Sequence, residues 1–244
     1  MQSPESHYEN FLAEKYSWML GDLSAKEKDQ LEFFRSFEIS PQGNGVAWDL
    51  GAGSGIQSIP LEELGFQVLA IDFSQKLLSE IKVRKPNTTI STRVADIRSR
   101  DLYQEVSPSP EILLCMGDTI THLESEKDWE STVSLWSNFL SAGSKLILGY
   151  RDLSYGKVGD KSIFVVRSEE SRIFTCQLQF TLNRVEVTDI FHEKSNGAWT
   201  VSSSSYNKLI LPAEDLIRTV SQKNFELKRK DEKNGMKFLL FEKL

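Results

Sequence analysis

The stretch from 46 to 55, VAWDLGAGSG, constrains the fold more than any other part of this 244-residue chain. An apolar run ends at the acidic residue Asp49, and glycines follow at alternate positions, Gly51, Gly53 and Gly55. A strand that leads into a glycine-rich turn and then a helix is a common way to hold a nucleotide. The stretch therefore predicts a βα unit with a nucleotide-like ligand at its turn.

The spacing of these glycines argues against a dinucleotide. The dinucleotide pattern, Gly-x-Gly-x-x-Gly, requires a glycine at the position that Ile56 occupies here. A carboxylate at Asp49 would also repel a pyrophosphate, whereas it would attract a ligand that carries an ammonium group. A cationic ligand is therefore favoured, and an NAD-dependent oxidoreductase is the weaker alternative.

Apolar strand-like runs alternate with helical patterns through the first half of the chain. A helical arm over 5–37 precedes them, and a break with proline and glycine follows at 40–45. This alternation is typical of βαβ units, and it predicts an α/β fold with a mostly parallel sheet and helices on both faces. The predicted strands and helices cover 46–50, 54–64, 67–71, 74–83, 89–95, 111–115, 124–140 and 144–150.

The second half of the chain has a different pattern. Strand-like runs follow one another between 160 and 210 without a helical pattern between them, and Asn196-Gly197 is a strong hairpin signal. A helix is predicted near Pro212, followed by strands over 225–230 and 236–243. We therefore expect an antiparallel β insertion and then a terminal hairpin that completes the main sheet.

The composition argues against several classes of function. A net charge of −6 with interspersed signs does not suit a protein that binds nucleic acid through a basic face. The apolar runs are short and the N-terminus lacks the pattern of a signal peptide, so we expect a cytoplasmic protein without a membrane span. Cys115 and Cys176 lie in separate strand-like runs, which predicts reduced core thiols and no metal site.

With its DLGAGSG motif, the chain resembles the class I S-adenosylmethionine-dependent methyltransferases, whose first motif is an acid followed by x-Gly-x-Gly-x-Gly. The resemblance implies S-adenosylmethionine as cofactor, with Asp72 on the ribose hydroxyls and Asp96 on the adenine amino group. It also implies a seven-stranded sheet of order 3-2-1-4-5-7-6 with an antiparallel last strand. The cofactor-binding residues that it implies are Asp49, Gly51, Ala52, Gly53, Asp72, Phe73, Ala95, Asp96, Ile97, Met116 and Gly117.

Three regions are expected on this basis. Residues 1–40 form an N-terminal helical arm that acts as a lid, and residues 41–155 with 211–244 form the Rossmann-like cofactor-binding domain. Residues 156–210 form the β insertion, which serves the substrate or a dimer contact. A homodimer is therefore possible.

The ends of the fourth and fifth predicted strands point to the methyl acceptor. The run LLCMGDTITHL resembles the Gly-Asn-Ser-Phe-x-His-Leu run of small-molecule N-methyltransferases of the glycine and sarcosine type, with Asp118 in place of the Asn. After the fifth strand, Arg151 matches an arginine that binds the acceptor carboxylate in those enzymes. A planar guanidinium suits bidentate recognition of a carboxylate. The alternative is that Arg151 pairs with Asp152 in a loop.

Candidate catalytic residues are His122, Asp118 and Tyr16. An imidazole ordinarily titrates near neutral pH, so His122 is a candidate base toward an amine, or a structural residue of its loop. Asp118 either favours a cationic acceptor or holds the backbone of a turn. Tyr16, and Tyr8 as a substrate-binding residue, offer aromatic faces to the sulfonium or the acceptor, or simply pack in a core.

The sequence thus predicts a methyltransferase that acts on a small amine or amino-acid-like acceptor by in-line transfer. A protein or RNA methyltransferase is disfavoured by the acidic net charge. A regulatory subunit that binds the cofactor without turnover is the third possibility, because the motif acids indicate binding and not turnover.

Overall fold

The computed structural model describes residues 2–104 and 108–244. The chain forms two compact units, and each is described separately. The small unit comprises Met1–Gly21 and Leu153–Ile210, and the large unit comprises Asp22–Asp152 and Leu211–Leu244. Within the described residues, none of the helices combines the length and the apolar composition that a membrane crossing requires.

The strands, numbered along the chain, are β1 (Val46–Leu50), β2 (Gln67–Asp72), β3 (Ser91–Val94), β4 (Ile112–Cys115), β5 (Lys145–Tyr150), β6 (Lys161–Ser168), β7 (Arg172–Phe180), β8 (Arg184–Ser195), β9 (Ala198–Leu209), β10 (Phe225–Lys233) and β11 (Met236–Lys243). The helices are α1 (Pro4–His7), α2 (Ala13–Leu20), α3 (Leu23–Ser36), α4 (Ser58–Glu63), α5 (Gln75–Arg84), α6 (Arg100–Gln104), α7 (Glu126–Phe139) and α8 (Ala213–Ser221). A π-helix over Tyr8–Leu12 joins α1 to α2, and a 3-10 helix covers Thr119–His122.

The large unit contains a seven-stranded sheet of order β10-β11-β5-β4-β1-β2-β3. The first five strands pair in parallel, and β11 pairs antiparallel with both β5 and β10. This is the predicted order, in which the terminal hairpin completes the sheet. The carboxyl ends of β1 to β5 therefore meet at one edge, where ligands of such sheets bind.

Buried apolar side chains explain why the inner strands occupy the centre of the sheet. β4 is buried along its whole length, and β1 and β5 are buried except at their first residue. Strands covered on both faces show this continuous apolar pattern. One of the cores joins Phe34 of α3 and Ile81 of α5 to Ile147 of β5. The strands that end at this edge of the sheet are therefore packed in a buried apolar core.

Two predicted helical segments differ from the structure. The segment predicted over 54–64 forms a helix only over Ser58–Glu63, because the glycine turn continues through Gly55 with a φ of +86°. The arm predicted over 5–37 is interrupted at Gly21, which has a φ of +83°, and Asp22 then caps α3 by accepting the Ala25 N–H. A left-handed residue followed by a new N-cap ends one helix and begins another.

The small unit contains a four-stranded antiparallel sheet of order β6-β7-β8-β9. It covers the run in which the sequence predicts an antiparallel insertion. The hairpin expected at Asn196-Gly197 is present, with Ser195 paired to Ala198 and both turn residues at positive φ, as a type I′ turn requires. A buried group of Leu12, Phe174 and Phe191 joins the N-terminal helices to this sheet.

Candidate cofactor and acceptor site

The turn after β1 lies so close to Thr119 that Gly51 has no space for a side chain. Gly51 has a φ of +73°, and a Cβ on it would lie 2.2 Å from Thr119 Oγ1. The N–H groups of Gly51 and Ala52 donate to the Ile71 carbonyl, which ties the turn to β2. Glycine is therefore required here for both conformation and space.

Asp49 is buried one residue from the end of β1. Its Oδ2 accepts a hydrogen bond from Ser58 Oγ at 2.6 Å. Burial, together with a smaller effect of the nearby Asp72 charge, raises the pKa of Asp49 to about 7, although hydrogen bonds from Ser58 act to lower it. A cation beside Asp49 would favour the ionised carboxylate, so the site suits the ammonium group that the sequence predicts. Sequence reasoning missed Ser58, which no motif indicates.

Asp72 ends β2 and joins two backbone turns. Its Oδ2 accepts the Gly53 N–H and its Oδ1 accepts the Ser74 N–H, both at 2.8 Å. A carboxylate oxygen can accept more than one hydrogen bond, so this arrangement leaves capacity for the two hydroxyls of a ribose. Phe73 follows and is half-buried.

The loop after β3 presents an acid on a supported backbone. Asp96 is exposed, and its carboxylate pairs with Arg98 at 2.7 Å. Burial of part of the group acts to raise the pKa of Asp96, but hydrogen bonds from Arg98 outweigh this and lower it. Asp96 is therefore an ionised acceptor for an amino group at neutral pH. Ala95 donates its N–H to the Asp72 carbonyl, which links this loop to β2.

A row of two hydrogen bonds behind this loop was not predicted from the sequence. Trp136 Nε1 of α7 donates to Tyr103 Oη at 2.9 Å, and the Tyr103 hydroxyl donates to the Ile97 carbonyl at 2.5 Å. All three residues are buried. Tyr103 also stacks with Trp48 of β1. Helices α6 and α7 thereby fix the backbone that carries Asp96. The spacing of Tyr103 and Trp136 in the sequence is typical of ordinary core residues.

The end of β4 lies directly beside the glycine turn. Thr119, which limits Gly51, donates its hydroxyl to the Met116 carbonyl at 2.8 Å. Met116 is buried and packs against Gly149 of β5, where a Cβ would lie 3.0 Å from its Cγ. Gly117 has a φ of +71°, and a Cβ on it would meet nothing within 4 Å. The predicted cofactor residues of β1 and β4 are therefore brought together.

An ion pair joins the ends of β4 and β5. Asp118 is buried, and its Oδ1 accepts the Arg151 N–H at 2.7 Å while its Oδ2 accepts from Arg151 Nη1 at 2.6 Å. The Arg151 side chain is 54% exposed. The alternative that Arg151 pairs with Asp152 is wrong, because Asp118 is its partner and Asp152 instead accepts the Ala213 N–H at 3.0 Å. The predicted acceptor residues Asp118 and Arg151 thus act as one group.

His122 ends the 3-10 helix that follows Asp118. Thr121 donates both its N–H and its hydroxyl to the Asp118 carbonyl, which fixes this short helix. His122 itself is half-buried, between the buried residues Thr121 and Leu123. The structure therefore supports a fixed position for this imidazole, while its role as a base stays a prediction.

Tyr8 and Tyr16 belong to the small unit. Their ring centroids lie 6.0 Å apart, and both pack against the buried group of Leu12, Phe174 and Phe191. They are part of an aromatic cluster within their unit, as one of the two interpretations expects. Their contacts with a cofactor or an acceptor stay predictions.

The residues of the large unit fit S-adenosylmethionine. A narrow glycine turn, a buried carboxylate for an ammonium group, a carboxylate for a ribose and an acid for an adenine follow one another along β1, β2 and β3. Together with the reversed last strand, they match the arrangement expected of a class I S-adenosylmethionine-dependent methyltransferase.

Comparison with known proteins agrees with this assignment. Residues 48–148, about two fifths of the chain, match the family model described as a methyltransferase domain. It is 29% identical over 163 residues to a glycine/sarcosine N-methyltransferase of Parasynechococcus marenigrum, covering 62% of this chain and 56% of that protein. A glycine/sarcosine N-methyltransferase of Halorhodospira halochloris is 27% identical over 54% of this chain and 48% of its own length. The chain thus aligns with about half the length of these curated relatives.

Solved structures share the fold across nearly the whole chain. An S-adenosylmethionine-dependent methyltransferase from Clostridium acetobutylicum superposes with a TM-score of 0.72 at 17% identity, covering 90% of this chain and 91% of that one. The CcbJ methyltransferase from Streptomyces caelestis has a TM-score of 0.75 at 10% identity, covering 91% and 96%. At these identities the likeness establishes the fold.

Proposed function

We propose that the protein transfers a methyl group from S-adenosylmethionine to the nitrogen of a small amine that carries a carboxylate. The observation that carries this proposal is Arg151, which is anchored on buried Asp118 with more than half of its side chain exposed at the carboxyl edge of the sheet. The curated relatives named glycine/sarcosine N-methyltransferases support the same class of acceptor.

Arg151 is suited to bind the acceptor carboxylate. Its Nη1 is engaged by Asp118, which fixes the guanidinium on one side. A guanidinium has five N–H donors in a planar fork, so further donors remain for a second carboxylate. Asp118 is therefore proposed to position Arg151, and not to remove a proton, because its two oxygens already accept charged and backbone donors.

When bound, the cofactor supplies an electrophilic methyl group on a sulfonium. The chain contributes alignment, because a fixed guanidinium orients the amine nitrogen and alignment alone can supply much of the rate. An amine must lose a proton before it can attack. His122 is proposed as the base that accepts this proton, since an imidazole titrates near neutral pH. The roles of Tyr16 and Tyr8, which both lie in the small unit, stay predictions from the sequence.

The direct test is methyl transfer from labelled S-adenosylmethionine. The protein is incubated with glycine, with sarcosine, with an amino sugar and with a cell extract divided into small-molecule and macromolecular fractions. Label in glycine or sarcosine, identified by mass spectrometry, is the expected result. Label only in the macromolecular fraction would overturn the proposal in favour of a protein or RNA substrate.

Calorimetry with S-adenosylmethionine separates two kinds of failure. Cofactor binding without label in any fraction would contradict turnover and indicate a regulatory subunit. Absence of binding would contradict the cofactor site itself. His122→Ala is expected to slow transfer most at pH values where the wild-type imidazole is unprotonated and the amine is still protonated, and least at low pH, with unchanged cofactor affinity.

A further inference from the structure

The edge strand β6 exposes an unusual amount of apolar surface. Four consecutive residues, Ile163, Phe164, Val165 and Val166, are exposed, and Ile163 is 62% exposed. Among residues 2–104 and 108–244, β7 is the strand that pairs with β6, so its other edge carries backbone groups without a strand partner. A long apolar edge of this kind is a template for pairing with another chain.

The hydrogen-bonding phase of β6 identifies which residues face outward. Phe180 of β7 donates its N–H to the Asp160 carbonyl, and its own carbonyl accepts the Gly159 N–H, so the Asp160 carbonyl points toward β7. Along an antiparallel pair of strands, residues whose N–H and C=O groups bond to the partner alternate with residues whose groups point away from it. The N–H and C=O groups of Ser162 and Phe164 therefore point toward β7. Lys161, Ile163 and Val165 consequently present their N–H and C=O groups to the open edge. A bulge between Val165 and Arg167 ends this row.

We propose that β6 pairs antiparallel with β6 of a second copy of this chain, in a register centred on Ile163. In this register Ile163 lies opposite its own copy, and Lys161 lies opposite Val165. The three outward residues of each strand then meet as hydrogen-bonded pairs, which supply about six backbone hydrogen bonds because each pair exchanges two. The two small-unit sheets become one continuous sheet.

A second copy suits this edge because the outward row is self-complementary. A two-fold axis through Ile163 places Lys161 opposite an apolar residue, so like charges are kept apart. A register centred on Phe164 would instead place Lys161 opposite Arg167, and like charges directly opposite each other are destabilising. A register centred on Val165 would cross the bulge and lose the alternation. Closed two-fold pairs are also the commonest oligomers.

The pairing is expected to be reversible. It involves one short strand and a few apolar side chains from each copy, which places it at the low end of specific interfaces. We therefore expect a dissociation constant on the order of 10–100 µM, measured by sedimentation velocity across a range of protein concentrations.

Cysteine cross-linking tests the register. In Ile163→Cys the two Cα atoms would lie about 5.5 Å apart, within the range of a disulfide. In the matched control Val165→Cys the two Cα atoms would be offset by about 13 Å along the strands, because the two positions are four residues apart in this register. Cys115 and Cys176 are buried and do not interfere. Under mild oxidation, Ile163→Cys is expected to give a covalent dimer on a non-reducing gel and Val165→Cys is not.

Ile163→Lys gives an independent measurement on a reduced protein. It is expected to shift the sedimentation profile to monomer, whereas Leu182→Lys, which removes an even more exposed apolar residue between β7 and β8, is expected to leave the dimer intact. Thermal melts confirm that each variant is folded. A monomeric wild-type protein, a dimer that survives Ile163→Lys, or equal cross-linking of Val165→Cys would overturn the proposal.

Discussion

The two halves of the sheet edge in the large unit are built differently. At the ends of β1 and β2, the cofactor half is held by backbone contacts: Asp72 binds two N–H groups, and Gly51 fits against Thr119 without space for a side chain. At the ends of β4 and β5, the proposed acceptor half is joined by Asp118, which accepts both the backbone N–H and the guanidinium of Arg151. The first half is fixed by main-chain geometry, and the second by the identity of two side chains.

This difference explains how one fold can serve many acceptors. A turn built from glycines at positive φ without space for a side chain tolerates little change. A site made from side chains on strand ends changes with single substitutions. We therefore expect substitutions in the cofactor half to abolish binding of S-adenosylmethionine, and those in the acceptor half to change selectivity.

Gly51→Ala has the largest expected effect. The new Cβ would lie 2.2 Å from Thr119 Oγ1 at a φ of +73°, so the turn and Thr119 must move apart. We expect affinity for S-adenosylmethionine to fall by at least about 100-fold, measured by calorimetry. Gly143→Ala is the matched control, because its φ is +83° and nothing lies within 4 Å of the new Cβ. An equal loss of affinity in both variants would contradict the steric account.

Asp118→Asn tests the acceptor half. The amide oxygen can still accept the Arg151 N–H, but the charge that holds the guanidinium is lost. We expect the KM for a carboxylate-bearing acceptor to rise by roughly tenfold, with cofactor affinity unchanged. Asp215→Asn removes the partner of exposed Arg218 in α8 and serves as the control. A fall in kcat at unchanged KM would instead support a proton-transfer role for Asp118.

The pH dependence of cofactor binding comes third. Burial raises the pKa of Asp49 to about 7, so the carboxyl is neutral below that pH and ionised above it. Because an ammonium group prefers the ionised form, affinity for S-adenosylmethionine is expected to tighten by up to about tenfold as pH rises from about 5.5 to about 7.5. Asp49→Asn should bind more weakly and without this slope. A slope that persists in Asp49→Asn would assign it to another group.

Trp136→Phe has the smallest expected effect. It removes the donor to Tyr103, whose hydroxyl supports the Ile97 carbonyl beside Asp96. We expect a loss of about 1 kcal/mol in the free energy of unfolding and a severalfold weaker cofactor affinity. Trp129→Phe, also buried in α7, is the control and should leave cofactor affinity unchanged. Equal cofactor affinity in the two variants would show that the hydrogen bonds from Trp136 through Tyr103 do not support the loop.

The fold could be predicted because local patterns specify it, while the residues assigned to the cofactor half stay predictions from the same patterns. Glycines at alternate positions, acids at predicted strand ends and the alternation of strand and helix patterns are all visible along the sequence. The break at Gly21 was missed because the apolar spacing continues through it, and a single glycine is compatible with a helix pattern.

The acceptor half could not be predicted to the same depth. The partner of Arg151 lies 33 residues away, and the neighbouring Asp152 is an equally plausible partner from sequence alone. Ser58, Tyr103 and Trp136 are also joined to the site only through tertiary contacts. Such pairs form when parallel strands bring their ends together, and one sequence contains no signal for that proximity.

The most direct measurement compares methylation of glycine with methylation of glycinamide by the wild-type protein and by Arg151→Gln. The two acceptors share the amine and differ in the carboxylate. The account predicts that the wild-type protein prefers glycine by at least about tenfold in kcat/KM, and that Arg151→Gln removes this preference while cofactor affinity is retained. Equal use of both acceptors by the wild-type protein, or a preference that survives in Arg151→Gln, would contradict it.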